Sequence, residues 1–389
     1  MTLDLGAARE AFEASTDLTV GIEEEFAILD PATLDLAGRY DELVAAADPA
    51  LAETITPDLI RAEIEIRSGR GEDLGDALRR QRWARRGLFA LAAAQNAALG
   101  ATGTHPWADY RKQAFIDSDH YRRVAEGLQY VAKRNNCFSL HVHVGVRGAD
   151  RAVRVCDRLR PVLPLLLALS ANSPYLDCRD SGLHSARTQS FTKSFPRCGV
   201  PDVYGTWAAY ADYIDLLVRT RSIVEYTQVW WSVRPHFAFG TVELRVCDAQ
   251  ATALESDALC SLMTACVAQA ARDQDEDRPF ADPPGRVIEE NMWRAVRHGL
   301  DGELIDLDRG ETYPAAAVGD RLLEWTAPVR AEMGTEPALP ELNGAQRQRR
   351  MIDTGAPMAE VFAGTVRETR DTYAQEATEA VTSAGEAGR

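Results

Sequence analysis

In the stretch Val20-Gly21-Ile22-Glu23-Glu24-Glu25-Phe26, Glu23 and Glu25 share one parity while Ile22 and Phe26 share the other, with Glu24 the exception. Three more segments alternate in the same way: Ala62-Glu63-Ile64-Glu65-Ile66-Arg67, Leu140-His141-Val142-His143-Val144-Gly145 and Thr241-Val242-Glu243-Leu244-Arg245-Val246. A period of two is the signature of a β-strand with one buried face. The other face then carries Glu23 with Glu25, Glu63 with Glu65, His141 with His143, and Glu243 with Arg245. If the four strands pair in one sheet, they build a floor of carboxylates and imidazoles. Like charges on facing strands repel, so such a floor calls for bound cations. A solvated sheet face normally mixes Thr, Lys, Arg, Gln and Ser, whereas these positions are almost wholly acids and histidines. Glu24 falls on the apolar parity and reads as a helix-contacting or edge residue.

The chain has 389 residues, 46% of them hydrophobic and 26% charged, the balance of a soluble globular protein. Its formal charge of −16 argues against a nucleic-acid backbone or an anionic membrane as the main partner. The first ten residues lack the apolar core of a signal peptide, and the longest apolar run, 161–171, is too short to span a bilayer. Seven cysteines are scattered without C-x-x-C spacing, which fits reduced thiols and a cytoplasmic location.

Around the four segments, helices are expected over 5–15, 72–99 (closed by Gly100), 117–134 and 150–170, the last interrupted at Pro161 and Pro164. Residues 171–220 read as a long loop with one helix near 207–220. Two strands follow at 226–234 and 239–247, joined by a turn at Pro235-His236-Phe237-Ala238. Helices over 252–272, 284–298, 318–332 and 344–382 complete the chain. Strands separated by helices of varied length, with one polar sheet face, indicate an α+β fold with an antiparallel or mixed sheet. No repeat or domain boundary is visible, so residues 1–389 read as a single catalytic domain, with a core over 18–355 and a helical tail over 356–389 that frays near its end.

The chemistry follows from donor types. Carboxylates with one imidazole suit Mg²⁺ or Mn²⁺ better than Zn²⁺, and Mg²⁺ on carboxylates usually accompanies phosphate-bearing substrates. Asp58, seven residues before Glu65, is placed to join from the preceding loop, although an Asp after a proline also serves turns. Arg245 lands beside the acids, either holding a phosphoryl oxygen or pairing with a neighbouring Glu. Trp230 and Trp231 beside Arg234 are candidates to stack on a base, with core packing the competing role. Arg179 and Arg187, in a loop rich in hydrogen-bonding groups, are candidates to hold a substrate carboxylate. The His141-x-His143 pair also opens a zinc amidohydrolase reading, which needs further metal-binding residues later in the chain. No P-loop and no convincing Ser-His-Asp or Cys-His arrangement is present.

In order and spacing these segments resemble the type 2 glutamate–cysteine ligase family, also called carboxylate-amine ligases. The resemblance includes Glu63-Ile64-Glu65-Ile66-Arg67-Ser68-Gly69, Arg158-Leu159-Arg160-Pro161 and Ala168-Leu169-Ser170-Ala171-Asn172-Ser173-Pro174. It continues through Trp230-Trp231-Ser232-Val233-Arg234-Pro235, Glu243-Leu244-Arg245-Val246-Cys247-Asp248 and Arg297-His298-Gly299-Leu300-Asp301. It implies a glutamine-synthetase-like fold, a curved and mainly antiparallel sheet with helices packed on its outer face. It also implies an ATP-dependent ligase forming an amide through an acyl phosphate, most simply γ-glutamylcysteine, from small amino-acid substrates. The implied metal shell is Glu23, Glu25, Asp58, Glu65, His141 and Glu243, with Arg245 on the transferring phosphoryl group. ATP and Mg²⁺, or Mn²⁺, are the implied cofactors, and a homodimer is a family-level expectation. A catalytically silent nucleotide-binding regulator of the same fold is a further reading.

Overall fold

The alternating segments become the strands of one seven-stranded sheet in a computed structural model that describes residues 4–280 and 282–375. The strands are β1 (Val20–Leu29), β2 (Ile55–Thr56), β3 (Glu63–Arg67), β4 (Ala98–Gly100), β5 (Ser139–Gly145), β6 (Val233–His236) and β7 (Thr241–Asp248). Their order is β6-β7-β5-β1-β3-β2, with β4 paired to the end of β1, and every pairing is antiparallel. The apolar parity behaves as alternation requires. Ile22, Phe26, Ile64, Ile66, Val142, Val144, Leu244 and Val246 are all buried. They pack against helices on the outer face, among them Leu74–Ala94, Ala149–Leu159, Leu163–Ser170, Ala253–Asp275 and Met358–Tyr373. No helix among the described residues is long and apolar enough to cross a membrane.

Several boundaries differ from the sequence reading, each for a local reason. The helix after β3 ends at Ala94 rather than at Gly100. Asn96 takes the left-handed turn (φ 51°), and the apolar residues that follow form β4 instead. The helix expected over 117–134 is broken at Gln129, also at φ 51°, into Asp119–Leu128 and Tyr130–Lys133. The strand expected over 226–234 splits. Tyr226–Gln228 is a 3-10 turn, Trp230–Trp231 pairs with Cys198–Gly199, and β6 starts at Val233. Pro235 and His236 belong to β6, not to the hairpin turn, because an edge strand tolerates a proline. The turn is closed by Gly240 at φ 61°, where a side chain would collide with the Ala11 carbonyl.

The prolines at 161 and 164 do interrupt the helix after β5, through a 3-10 turn at Arg160–Val162. At the C-terminus, the expected helix over 344–382 is two helices, Gly344–Asp353 and Met358–Tyr373. The second carries Phe362, Val366 and Tyr373 into the core, so this part of the tail is integral to the fold. Residues 376–382 of that expected helix, and the end of the tail where fraying was expected, lie outside the described residues.

Candidate active site

Register decides which polar side chains meet. His141 lies opposite Glu23 across β5 and β1, and Glu65 lies opposite Glu25 across β1 and β3. Glu243 has His143 on one side and Arg234 on the other. Donor atoms converge in three overlapping groups: Glu23, His141 and Glu243; Glu25, Glu65 and His141; and Glu25, Asp58 and Glu63. Within each group they lie within 4.8 Å of one another. Because His141 belongs to the first two groups and Glu25 to the last two, they form a row across the sheet. Each group offers carboxylate oxygens and at most one imidazole, a donor set suited to a hard divalent cation.

The electrostatics of the row divide it in two. Burial, and then the nearby Asp58, push the Glu25 carboxyl up to about 7. Burial and the neighbouring carboxylates raise Glu63 and Glu65 well above the usual range. Both oxygens of Glu63 are buried without a hydrogen-bond partner. A buried charge left unpaired is costly, so this end of the row fits a cation that would pair with its acids. At the other end, burial opposes ionisation of Glu23, but His143, His141 and Arg67 outweigh it and hold the carboxyl well below its ordinary value. Glu243 is likewise held low despite burial, chiefly by Arg234 and Arg245. Burial, helped by Arg245, lowers His141 to about 3, leaving it a neutral imidazole able to ligate.

The supporting contacts are specific. Glu25 accepts from the Ser139 backbone N–H at 2.6 Å. His141 places Nδ1 at 3.2 Å from Glu23 and Nε2 at 2.7 Å from the Ser139 hydroxyl. Arg67 Nε lies 3.1 Å from Glu23 and 2.5 Å from Glu65. Arg234 donates to Glu243 at 2.6 Å and to the Thr227 carbonyl at 3.2 Å. Arg245 donates to Glu243 through Nη1, while its buried Nε has no partner.

The row thus brings together Glu23, Glu25, Asp58, Glu65, His141 and Glu243, with Arg245 alongside. Arg187 and Trp230 line a cavity that reaches Glu25, Asp58 and Arg245. Arg187 also donates to the Val246 and Arg245 carbonyls at 3.2 and 3.1 Å, which fixes its guanidinium against the end of β7. Arg234 is buried and committed to Glu243. Arg179 sits exposed in a two-residue pairing with Tyr175–Leu176 and does not line that cavity. A second, more apolar cavity flanks the opposite end of the row, lined by Glu23, Arg67, His143, Gly21, Gly69 and Phe239.

Three residues left unassigned in the sequence now have clear places. Glu63 joins Glu25 and Asp58. Arg67 bridges two acids; its position two residues after Glu65 was visible in the same alternation. Asp248 had no such signal. It accepts from Ser173 at 2.6 Å and from Ser185 and the Asn172 N–H at 2.9 Å, anchoring the loop that carries Arg187. Glu24 faces the helices, as its parity required, and is bound there by Arg85 at 2.6 Å.

Comparison with known proteins gives the family. The sequence profile of glutamate-cysteine ligase family 2 (GCS2) matches residues 19–383. The chain belongs to that family. A relative from Solibacter usitatus carrying a glutamate–cysteine ligase 2 name is 36% identical over 360 residues, covering 90% of this chain and 93% of its own length. One from Rubrobacter xylanophilus is 36% identical over 365 residues, covering 92% and 96%. Among solved structures, the glutamate–cysteine ligase of Francisella tularensis in complex with AMP matches with a TM-score of 0.66 at 13% identity, over 93% of this chain and 91% of that one. A bifunctional glutathione synthetase from Pasteurella multocida matches with 0.67 at 12% identity, over 94% of this chain and 54% of that one. At those identities the likeness is one of fold. The family makes this chain a glutamate–cysteine ligase-like carboxylate-amine ligase, an ATP-dependent enzyme forming a carbon–nitrogen bond.

Proposed function

We propose that the polar row is a Mg·ATP platform on which a substrate carboxylate is phosphorylated and then captured by an amine. The observation that carries this is the row itself: three oxygen-rich donor groups sharing Glu25 and His141, with the Arg245 guanidinium at their side. Glu23, Glu25, Asp58, Glu63, Glu65, His141 and Glu243 would hold the divalent ions. Bound there, Mg²⁺ would neutralise the phosphate oxygens and the charge that develops during transfer.

The carboxylate oxygen of the acid attacks the γ-phosphorus of ATP, and the bond to the bridging oxygen breaks, releasing ADP and giving an acyl phosphate. The amine nitrogen then attacks the acyl carbon, phosphate leaves with the C–O electron pair, and the nitrogen loses a proton to complete the amide. Arg245 stabilises the transferring phosphoryl group through the donors that Glu243 does not use. Arg234, by holding Glu243, keeps Arg245 in place. The apolar cavity beside Glu23 and Phe239 suits a flat nucleobase. The cavity with Arg187 and Arg245 suits amino-acid substrates, whose alignment supplies proximity.

The relatives' names favour glutamate as the acid, and the cavity with Arg187 and Arg245 would select the amine. A cytoplasmic place fits both ATP use and seven unpaired cysteines. The test is a coupled ADP-release screen with Mg·ATP over pairs of acids and amines, with mass spectrometry of the product. Release that requires both an acid and an amine supports the reading, and no release with any pair removes it.

A further inference from the structure

The cavity that reaches Glu25, Asp58 and Arg245 has two chemically different walls. One is charged. The other is aromatic and aliphatic, built from Phe191, Phe195, Trp230, Tyr121, Leu59 and Val124. Phe191 and Phe195 have ring centroids 4.5 Å apart, and Phe195 meets Trp230 edge-on at 5.7 Å, so the three rings form a continuous strip. Phe191 and Trp230 are only half-buried, leaving ring surface open to the cavity. The Tyr121 hydroxyl is already spent on the Pro57 carbonyl at 2.6 Å, so Tyr121 offers its ring as well. Cys137, the thiol on this cavity, is buried beside these walls.

A strip of this kind is filled only by a side chain of its own size. Cysteine or alanine would leave it wet, whereas a benzyl or isobutyl group would displace that water and meet the rings at stacking distance. We propose that the attacking amine is an α-amino acid with a large apolar or aromatic side chain, taken up against the Phe191–Phe195–Trp230 strip. This rests on the ligase reading above. The amine's own carboxylate turns toward the Arg187 and Arg245 side. The nitrogen lies toward the Glu25 and Asp58 end, where the acyl phosphate forms.

The test uses the full chain with Mg·ATP and L-glutamate, and L-phenylalanine, L-leucine, L-cysteine and L-alanine as amines. Selection in apolar pockets changes by about 10–200-fold per methylene. Phenylalanine and leucine should therefore exceed cysteine and alanine in kcat/KM by about tenfold or more, giving the matching γ-glutamyl products by mass. Preference for cysteine or alanine would overturn this inference while leaving the ligase reading standing. Absence of ADP release with every amine counts against glutamate as the acid and leaves the strip to be judged by binding. A thermal-shift comparison then still decides the strip, because phenylalanine should stabilise the Mg²⁺-loaded protein more than alanine, and equal shifts would overturn it. Trp230→Ala and Phe191→Ala should each raise the KM for phenylalanine severalfold with the KM for ATP unchanged. A rise in the KM for ATP instead would assign the strip to the adenine and end the proposal.

Discussion

Glu63 lies buried with neither carboxylate oxygen bonded, between Asp58 and the acids of β1 and β3. Its charge is costly without a cation and useful with one, which leads to a two-sided expectation. Glu63→Gln should raise the melting temperature of the metal-free protein and weaken activation by Mg²⁺ by about 10–100-fold, the loss typical of disturbed metal surroundings. Calorimetry without metal and a Mg²⁺ titration of ADP release measure the two halves. A variant that is destabilised without metal would mean that the Glu63 charge is already compensated. Glu65→Gln should abolish turnover while leaving the fold intact, and an unaffected rate would remove Glu65 from the metal shell. Arg245→Met should lower kcat by about 10²–10³-fold, as expected when a donor to developing charge is lost. At this scale most of the site was legible, because strand parity alone puts Glu23, Glu25, Glu65, His141 and Glu243 on one face. What parity could not rank was which same-face neighbours converge. Glu63 and Arg67 share the face of Glu65, and only the register against β1 separates an acid that meets Asp58 from an arginine that bridges two acids. Asp248 owes its place to the irregular register between Leu244 and Cys247, which no spacing announces.

Strand β1 is held from both sides, and the reverse side explains the residue that broke its alternation. Glu24 accepts from Arg85 at 2.6 and 2.8 Å, from Gln81 at 2.8 Å, and from Ser256 and Tyr373. Arg85, fully buried, also reaches Asp257 at 2.6 Å. Three helices, Leu74–Ala94, Ala253–Asp275 and Met358–Tyr373, therefore grip the one residue between the two acids Glu23 and Glu25. Breaking such a buried pair from one side leaves an uncompensated charge, so Arg85→Met should cost about 3–5 kcal/mol. The double replacement Glu24→Met with Arg85→Met should recover much of it, and the coupling is read from a double-mutant cycle in urea. Additive losses would show that the pair is not the unit of stability. Strand identities were readable wherever alternation was strong, and the helices expected from 72 and 252 start within two residues of those positions. Expected boundaries failed where single residues took left-handed backbone, at Asn96 and Gln129. They failed again where a short segment such as Trp230–Trp231 pairs outside the main sheet.

For the molecule as a whole, the acidic row couples pH, metal and stability. The carboxyl of Glu25 is raised from 4.5 to about 7 in the folded chain. A raised acid binds its proton more tightly when folded, so its stabilising contribution is complete below pH 4.5 and is lost as pH rises through about 7. Glu63 and Glu65 shift in the same direction, which makes the row a liability of the metal-free protein at neutral pH. A divalent cation held there as proposed would reverse this by pairing with the ionised acids, and at low pH it would first have to displace their protons. Mg²⁺ at a hundredfold excess over its dissociation constant adds about 2.7 kcal/mol to a single-site protein. The melting temperature should therefore rise more on adding Mg²⁺ at pH 8 than at pH 5. Glu25→Gln should shrink that difference, because one of the protons in competition with the metal is gone. Equal gains at the two pH values would mean that the ion binds away from these carboxylates, and the row would lose its claim to be the platform for ATP.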